Sequence, residues 1–179
     1  PVRIELDSIM RGHRLLQVSV ACLSANPSVQ QVKGNTSIAF RLNFTGTPDP
    51  DAEMEKSRLF SESHENLLSR IVENHSMSSS SDYQGEVTGC DYLIVTHESL
   101  VSCFNEFVAW KNKKGYITRV IGLNTSDSRN TEIVKTVIQD QYYQYPAPTY
   151  VVIAGDQGII KPWFVQYRGR QTPNDYQYT

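Results

Sequence analysis

The chain has 179 residues, with 17 lysines and arginines against 19 aspartates and glutamates, and a formal net charge of −2 at neutral pH. That balance supplies no basic field for nucleic acid, and no run approaches the roughly 18 apolar residues that a membrane-spanning helix needs. A soluble chain of one large or two small domains is expected.

Residues 2–6 (Val2-Arg3-Ile4-Glu5-Leu6) alternate in polarity, as do Leu16, Val18 and Val20, and then Ile38, Phe40, Leu42 and Phe44. Period-two alternation predicts half-buried antiparallel strands. Arg11-Gly12-His13, Asn26-Pro27 and Lys33-Gly34-Asn35 supply the turns. Proline and acid in residues 45–51 break this β unit. Residues 61–74 then place Leu67, Leu68, Ile71 and Val72 at helical spacing, with Glu62, Glu65 and Asn66 expected outside. The stretch 76–82 is almost entirely serine and has nothing to bury, so it reads as a mobile, protease-sensitive linker. The domain organisation is therefore a β-rich unit at 1–75, a Ser-rich linker at 76–89 and an α/β half-domain at 90–179.

That last part carries the clearest signal. Asp91-Tyr92-Leu93-Ile94-Val95-Thr96 is a short, nearly continuous apolar run, as expected of a parallel strand covered on both faces. From His97 to Lys114, Leu100, Phe104, Phe107, Val108 and Lys111 form one helical stripe, and Gly115 stops it. A second strand follows at 116–123. Asn124, Thr125, Ser126, Asp127 and Ser128 offer N-caps for a helix with Ile133, Val134, Val137, Ile138 and Tyr142 inside. Pro146 and Pro148 close that helix, and Tyr150-Val151-Val152-Ile153-Ala154 is the third strand. Two crossover helices require parallel pairing. The fold class is α+β overall: a small antiparallel β unit followed by a βαβαβ, Rossmann-like parallel-sheet half-domain.

Ligands of such sheets lie outside the carboxyl ends of the strands, which places Thr96, His97, Asn124 and Asp156 on the rim where function is sought. His97 is followed by Glu98 and Ser99, but residues adjacent in sequence diverge on a helical turn, so His97 reads as a helix-start residue. His13, His64 and His75 read as solvated. Cys22, Cys90 and Cys103 lack metal-ligand spacing, their odd number leaves at least one unpaired, and Cys22 and Cys103 are expected to be buried. Gly155-Asp156-Gln157-Gly158 lacks a phosphate-loop fingerprint; Gly155 serves a turn and Asp156 caps it. Asn35, Asn43, Asn74 and Asn124 begin Asn-x-Ser/Thr triplets. The tail Trp163-Phe164-Val165-Gln166-Tyr167 reads as packing on the sheet, since Arg168 and Arg170 are the only bases nearby. By these residues alone the chain presents no catalytic, cofactor-binding or metal-ligating set.

Taken in order, several stretches resemble the N-terminal part of the gingipain family, secreted Bacteroidetes cysteine peptidases with a caspase-like α/β catalytic fold. Residues 91–96, then Phe107-Val108-Ala109-Trp110-Lys111-Asn112-Lys113-Lys114-Gly115, resemble that family's opening strand and its W-K-x-x-K-G helix end. Tyr150-Val151-Val152-Ile153-Ala154-Gly155-Asp156 is similar to its strand ending in Gly-Asp, and Asn174-Asp175-Tyr176-Gln177-Tyr178 to its T-D-x-x-Y segment, with Asn174 in place of Thr. Residues 2–44 resemble the β-rich pro-region. The resemblance implies a secreted or cell-surface cysteine endopeptidase acting on proteins or peptides. It also implies that the catalytic His and Cys follow later strands beyond Thr179, so no catalytic residue is carried over and the chain as it stands is inert. A pro-region removed near 76–82, an incomplete sheet completed by the rest of the catalytic domain, and a homodimer through its exposed edge are the further expectations. The alternatives are a non-enzymatic interaction protein on the same scaffold and, less well supported, a small nucleotide-binding domain.

Overall fold

The computed structural model describes residues 2–43, 45, 50–76 and 86–178. They form two compact units, Pro1–Lys56 and Ser57–Thr179.

In the first unit β1 (Val2–Met10) and β2 (His13–Val20) form an antiparallel hairpin. Arg11 and Gly12 both have positive φ, 47° and 78°, the turn whose twist suits paired strands. Between Ile4, opposite Val18, and Leu6, opposite Gln17, the register slips by one residue. A bulge of this kind moves every later side chain to the other face. Asp7 thereby shares a face with Arg14 and accepts a hydrogen bond from its Nε at 2.8 Å. A second hairpin pairs β3 (Leu23–Asn26) with β4 (Gln31–Gly34) around a short 3₁₀ turn, where Asn26 Oδ1 accepts from the Ser28 N–H at 3.1 Å. Residues 38–42 were expected as a strand and form none; Phe44 lies outside the described residues. The local β3–β4 turn closes a much shorter loop than any pairing with 38–42, and so costs less entropy. None of the described residues before Ser57 is buried, so this unit is a pair of two-stranded ribbons without a core.

After α1 (Pro50–Arg58), the second unit opens with α2 (Glu62–Ile71). Its buried positions are Glu65 and Leu68, while Leu67 and Ile71 are 44% and 63% exposed. The expected inner face is therefore rotated, and Glu65 lies inside rather than outside. The reason is a partner: the Glu65 carboxylate meets His75 Nε2 at 3.0 Å, with both side chains almost wholly buried. A buried charge is tolerated when paired, and that pair also takes His75 out of solvent. Most of the linker, residues 77–85, lies outside the described residues. Its last residues are held: the Thr88 and Gly89 N–H groups donate to the Tyr145 carbonyl, and Cys90 N–H to that of Pro146.

The sheet follows in the expected order: β5 (Tyr92–His97), α3 (Asn105–Lys113), β6 (Thr118–Leu123), α4 (Thr125–Ser128), α5 (Thr131–Tyr142) and β7 (Tyr150–Ala154). All pairings are parallel, with β5 in the centre and β6 and β7 at its sides. The most apolar strand takes the most covered place: Leu93, Ile94, Val95 and Thr96 are all buried. Each such side chain contributes roughly 1.5–3 kcal/mol of burial free energy. Leu93 and Val95 join Leu123, Val134, Ile138 and Ile160 in one core on the α5 side. On the other face Tyr92 packs edge-on against Phe107 of α3, with ring centroids 5.6 Å apart.

The helix expected from His97 begins instead as a 3₁₀ segment, Glu98–Phe104. Gly122 of β6 lets it lie close on the sheet, since a Cβ there would be 2.6 Å from Val101 Cγ2 and 3.0 Å from Glu98 Cα. At the other end of α3, Lys111 stands among rings rather than in an aliphatic stripe. Its Nζ is 4.2 Å from the Tyr92 ring centroid, 5.0 Å from Trp110, 5.2 Å from Tyr116 and 5.4 Å from Phe107. The tail folds back as a hairpin of β8 (Trp163–Tyr167) and β9 (Arg170–Asn174), turning at Arg168 and Gly169, both at positive φ. Trp163 packs against the core.

Candidate functional site at the carboxyl ends of the parallel strands

β5, β6 and β7 end on one rim, where they deliver His97, Leu123 and Ala154. His97 is half-buried, and both ring nitrogens are engaged. Nδ1 accepts the Ser99 N–H at 3.2 Å and faces Ser99 Oγ at 2.8 Å, while Nε2 lies 3.1 Å from Thr125 Oγ1. Because Nδ1 accepts a backbone proton, the neutral ring carries its hydrogen on Nε2 and donates it to Thr125. Ser99 and His97 thus have the contact of a nucleophile and base, but the group behind the imidazole is a hydroxyl. A carboxylate is what stabilises the imidazolium in hydrolytic triads, and none bonds to His97 among the described residues. The ring acts here as the cap of the 3₁₀ segment and as a tie between the ends of β5 and β6.

Asn124 is wholly committed to capping α4. Its Oδ1 accepts the Asp127 N–H at 2.9 Å and the Ser126 hydroxyl at 2.7 Å, and its Nδ2 donates to Asp127 Oδ2 at 2.8 Å. Asn130, which sequence reading passed over, caps α5 through the Glu132 N–H at 3.1 Å. Two Asn caps six residues apart are the signal that one helix is in fact two. Thr96 is buried, and its hydroxyl donates to the Ala154 carbonyl at 2.7 Å, locking β5 to β7 at the rim.

Beyond β7, Asp156 Oδ1 accepts the N–H groups of Gly158 at 2.7 Å and Ile159 at 3.0 Å, the capping role expected of it. Gly155 has φ +152°, and an added Cβ would press on Ile159 and Ile160 at 3.1–3.3 Å. A cleft of about 440 Å³ opens beside this turn, lined among others by Gly155, Gln157, Pro173 and Asp175.

The cysteines lie elsewhere. Cys22 and Cys103 are exposed, against expectation. Cys103 sits in the 3₁₀ segment rather than on the apolar stripe of α3, and Cys22 follows β2 in a unit with no core to receive it. Cys90 is buried before the start of β5, at the end of the sheet opposite the rim, and burial pushes its thiol up to about 11 despite the nearby Arg119. It is a packing residue, held as the unreactive thiol at neutral pH. Among the described residues no three His, Cys, Asp or Glu side chains are grouped to hold a metal ion. No helix is long and apolar enough to cross a membrane.

A parallel sheet with its first strand central, crossover segments on both faces and a polar rim at the carboxyl ends defines an α/β domain of the doubly wound class. The model of peptidase family C25 matches residues 86–179, the stretch that contains the whole of this sheet and the β8–β9 hairpin. The chain belongs to that family, the gingipain family of cysteine peptidases. No curated protein and no solved structure matches the chain.

Proposed function

We propose that this chain is the N-terminal portion of a secreted, gingipain-like cysteine endopeptidase, in which the catalytic Cys and His lie outside residues 1–179. The observation that carries this reading is the family match over 86–179, which coincides with the β5–β7 sheet and its rim. In such an enzyme a thiolate attacks the peptide carbonyl, an imidazole keeps the thiol activated and protonates the leaving amine, and backbone N–H groups hold the oxyanion. Cys90 is unsuited to the first role because its thiol is buried, and His97 is engaged by Ser99 and Thr125. The present residues supply the scaffold, and the coreless β arm serves as a pro-region removed within 76–82.

The test is a peptidase assay with fluorogenic peptide pools, run on residues 1–179 and on the longest natural product of the reading frame. Thiol-dependent hydrolysis by the longer product alone supports the proposal. Hydrolysis by residues 1–179 that disappears in His97→Ala would place the chemistry at the rim described above and defeat it. N-terminal sequencing of matured material checks the processing region. A second reading, a non-enzymatic interaction protein on the same scaffold, is favoured by the unpaired edge of β7; a longest natural product with no thiol-dependent activity would decide for it.

A further inference from the structure

Strand β7 is an edge of the sheet, with no strand paired beyond it among the described residues. Its sequence, Tyr150-Val151-Val152-Ile153-Ala154, contains no charge, proline or bulge, although these are the devices by which natural edge strands avoid pairing. The other edge differs: β6 carries Arg119, whose guanidinium is bonded to Gln141 and to the Thr88 carbonyl, and Gly122, on which the 3₁₀ segment sits. β7 is thus the edge left open for another strand.

Beside it runs a groove. A cavity of about 600 Å³ is lined by residues that include Tyr142, Tyr143, Val151, Ile153 and Tyr178, and it is largely apolar. The 440 Å³ cleft at the rim shares two lining residues with it, Ile153 and Asp175. The two are therefore continuous along β7, and Asp175 stands where they meet. Its side chain is exposed and forms no hydrogen bond or ion pair among the described residues, and no lysine or arginine lines either cavity.

We infer that the open edge of β7 binds an extended peptide strand that presents, toward the groove, a basic side chain to Asp175 with apolar side chains at alternate positions on either side of it. Strand addition provides main-chain hydrogen bonds, and alternate side chains enter the flanking groove. The carboxylate makes the groove selective for sign: an opposite charge is favoured there and a like charge is penalised. A second copy of β7 brings no basic residue to Asp175, so the charge pattern selects a different sequence. This inference is independent of the peptidase reading, because it concerns binding at an edge and not hydrolysis.

The test uses the 179-residue chain and acetylated seven-residue peptides of alternating valine and threonine in which the central groove-facing valine is replaced by arginine or by glutamate. Binding is followed by amide chemical shifts in NMR titrations. The arginine peptide should bind about tenfold more tightly than the glutamate peptide, with the largest shifts at Val151, Val152 and Ile153. Asp175→Asn should remove the preference without unfolding the protein, and Val151→Lys, at a position already 44% exposed, should weaken both peptides. Equal binding of the two peptides, shifts centred elsewhere, or no binding overturns the inference. So does sedimentation showing self-association that Val151→Lys abolishes, which would assign the edge to a second copy.

Discussion

Replacing Lys111 by methionine keeps the length of the side chain and most of its apolar stem, and removes the ammonium. That ammonium lies within 4.2–5.4 Å of the ring centroids of Tyr92, Phe107, Trp110 and Tyr116, and it has no carboxylate partner among the described residues. One cation over one ring is worth about 0.5–1 kcal/mol at an exposed site and about 2 kcal/mol when desolvated. Lys111 is half-buried, and four rings sharing one charge do not add, so a gross loss of about 2 kcal/mol is the upper figure. The methionine sulfur recovers part of it through its own ring contacts, each worth roughly 0.3–1.5 kcal/mol. The net expectation is destabilisation by about 1 kcal/mol. Urea unfolding followed by tryptophan fluorescence reads it cleanly: Trp110 and Trp163 are the only tryptophans, and both belong to the second unit. A double-mutant cycle with Tyr92→Leu should give a coupling of about 0.5–1 kcal/mol. If Lys111→Met is as stable as the parent and the cycle shows no coupling, the rings merely pack the stem, and the reasoning about the charge is wrong.

Iodoacetamide at pH 8 should modify Cys22 and Cys103 in the folded protein and Cys90 only after denaturation, read as two adducts and then three by mass spectrometry; rapid native labelling of Cys90 would contradict its burial. Glu65→Gln should cost about 3 kcal/mol, because it leaves the buried His75 without its carboxylate, whereas Glu62→Gln on the exposed face of the same helix should stay within about 0.5 kcal/mol; equal losses in chemical denaturation would mean that the buried pair contributes nothing. Burial, then the neighbouring Asp175, raises the Tyr178 hydroxyl from 10.0 to about 12, and that hydroxyl donates to the Lys161 carbonyl at 2.5 Å. A raised folded-state value means the contribution is complete below pH 10 and lost as pH climbs through about 12. The parent should accordingly lose stability relative to Tyr178→Phe over that interval, and parallel pH profiles for the two proteins would refute the assignment.

The second unit was the more legible half because its signals are redundant. In β5 a continuous apolar run, in β7 another, and between them Asn and Pro boundaries all require the same crossover topology, so errors of a residue or two at each end leave it unchanged. The first unit has one signal only, alternation, and alternation names a face without naming a partner. Ile38, Phe40 and Leu42 alternate as well as Leu16, Val18 and Val20, yet only the latter have a neighbouring strand joined by a tight turn. The β8–β9 hairpin was missed for the converse reason. Its turn, Arg168-Gly169, has one glycine, and the strand after it contains Pro173, which argues against a central strand but is compatible with an edge.

The rim was legible as a place and not as chemistry, and the difference lies in what a hydrogen-bond partner does to a side chain. His97, Asn124 and Asp156 were each found where a parallel sheet puts its functional ends, but each spends its acceptors on backbone N–H groups of the segment it starts. A residue so committed holds the shape of the rim and is poorly available for proton transfer. Asp175 is the opposite case. Nothing in its neighbourhood in the sequence marks it, since its significance comes from Ile153, which is 22 positions earlier and lines the same two cavities. An uncommitted carboxylate beside an uncharged open edge is a property of the fold, reached only once β7 has been placed at the side of the sheet. The selectivity expected there follows from that placement, whereas the capping residues of the rim follow from local sequence alone.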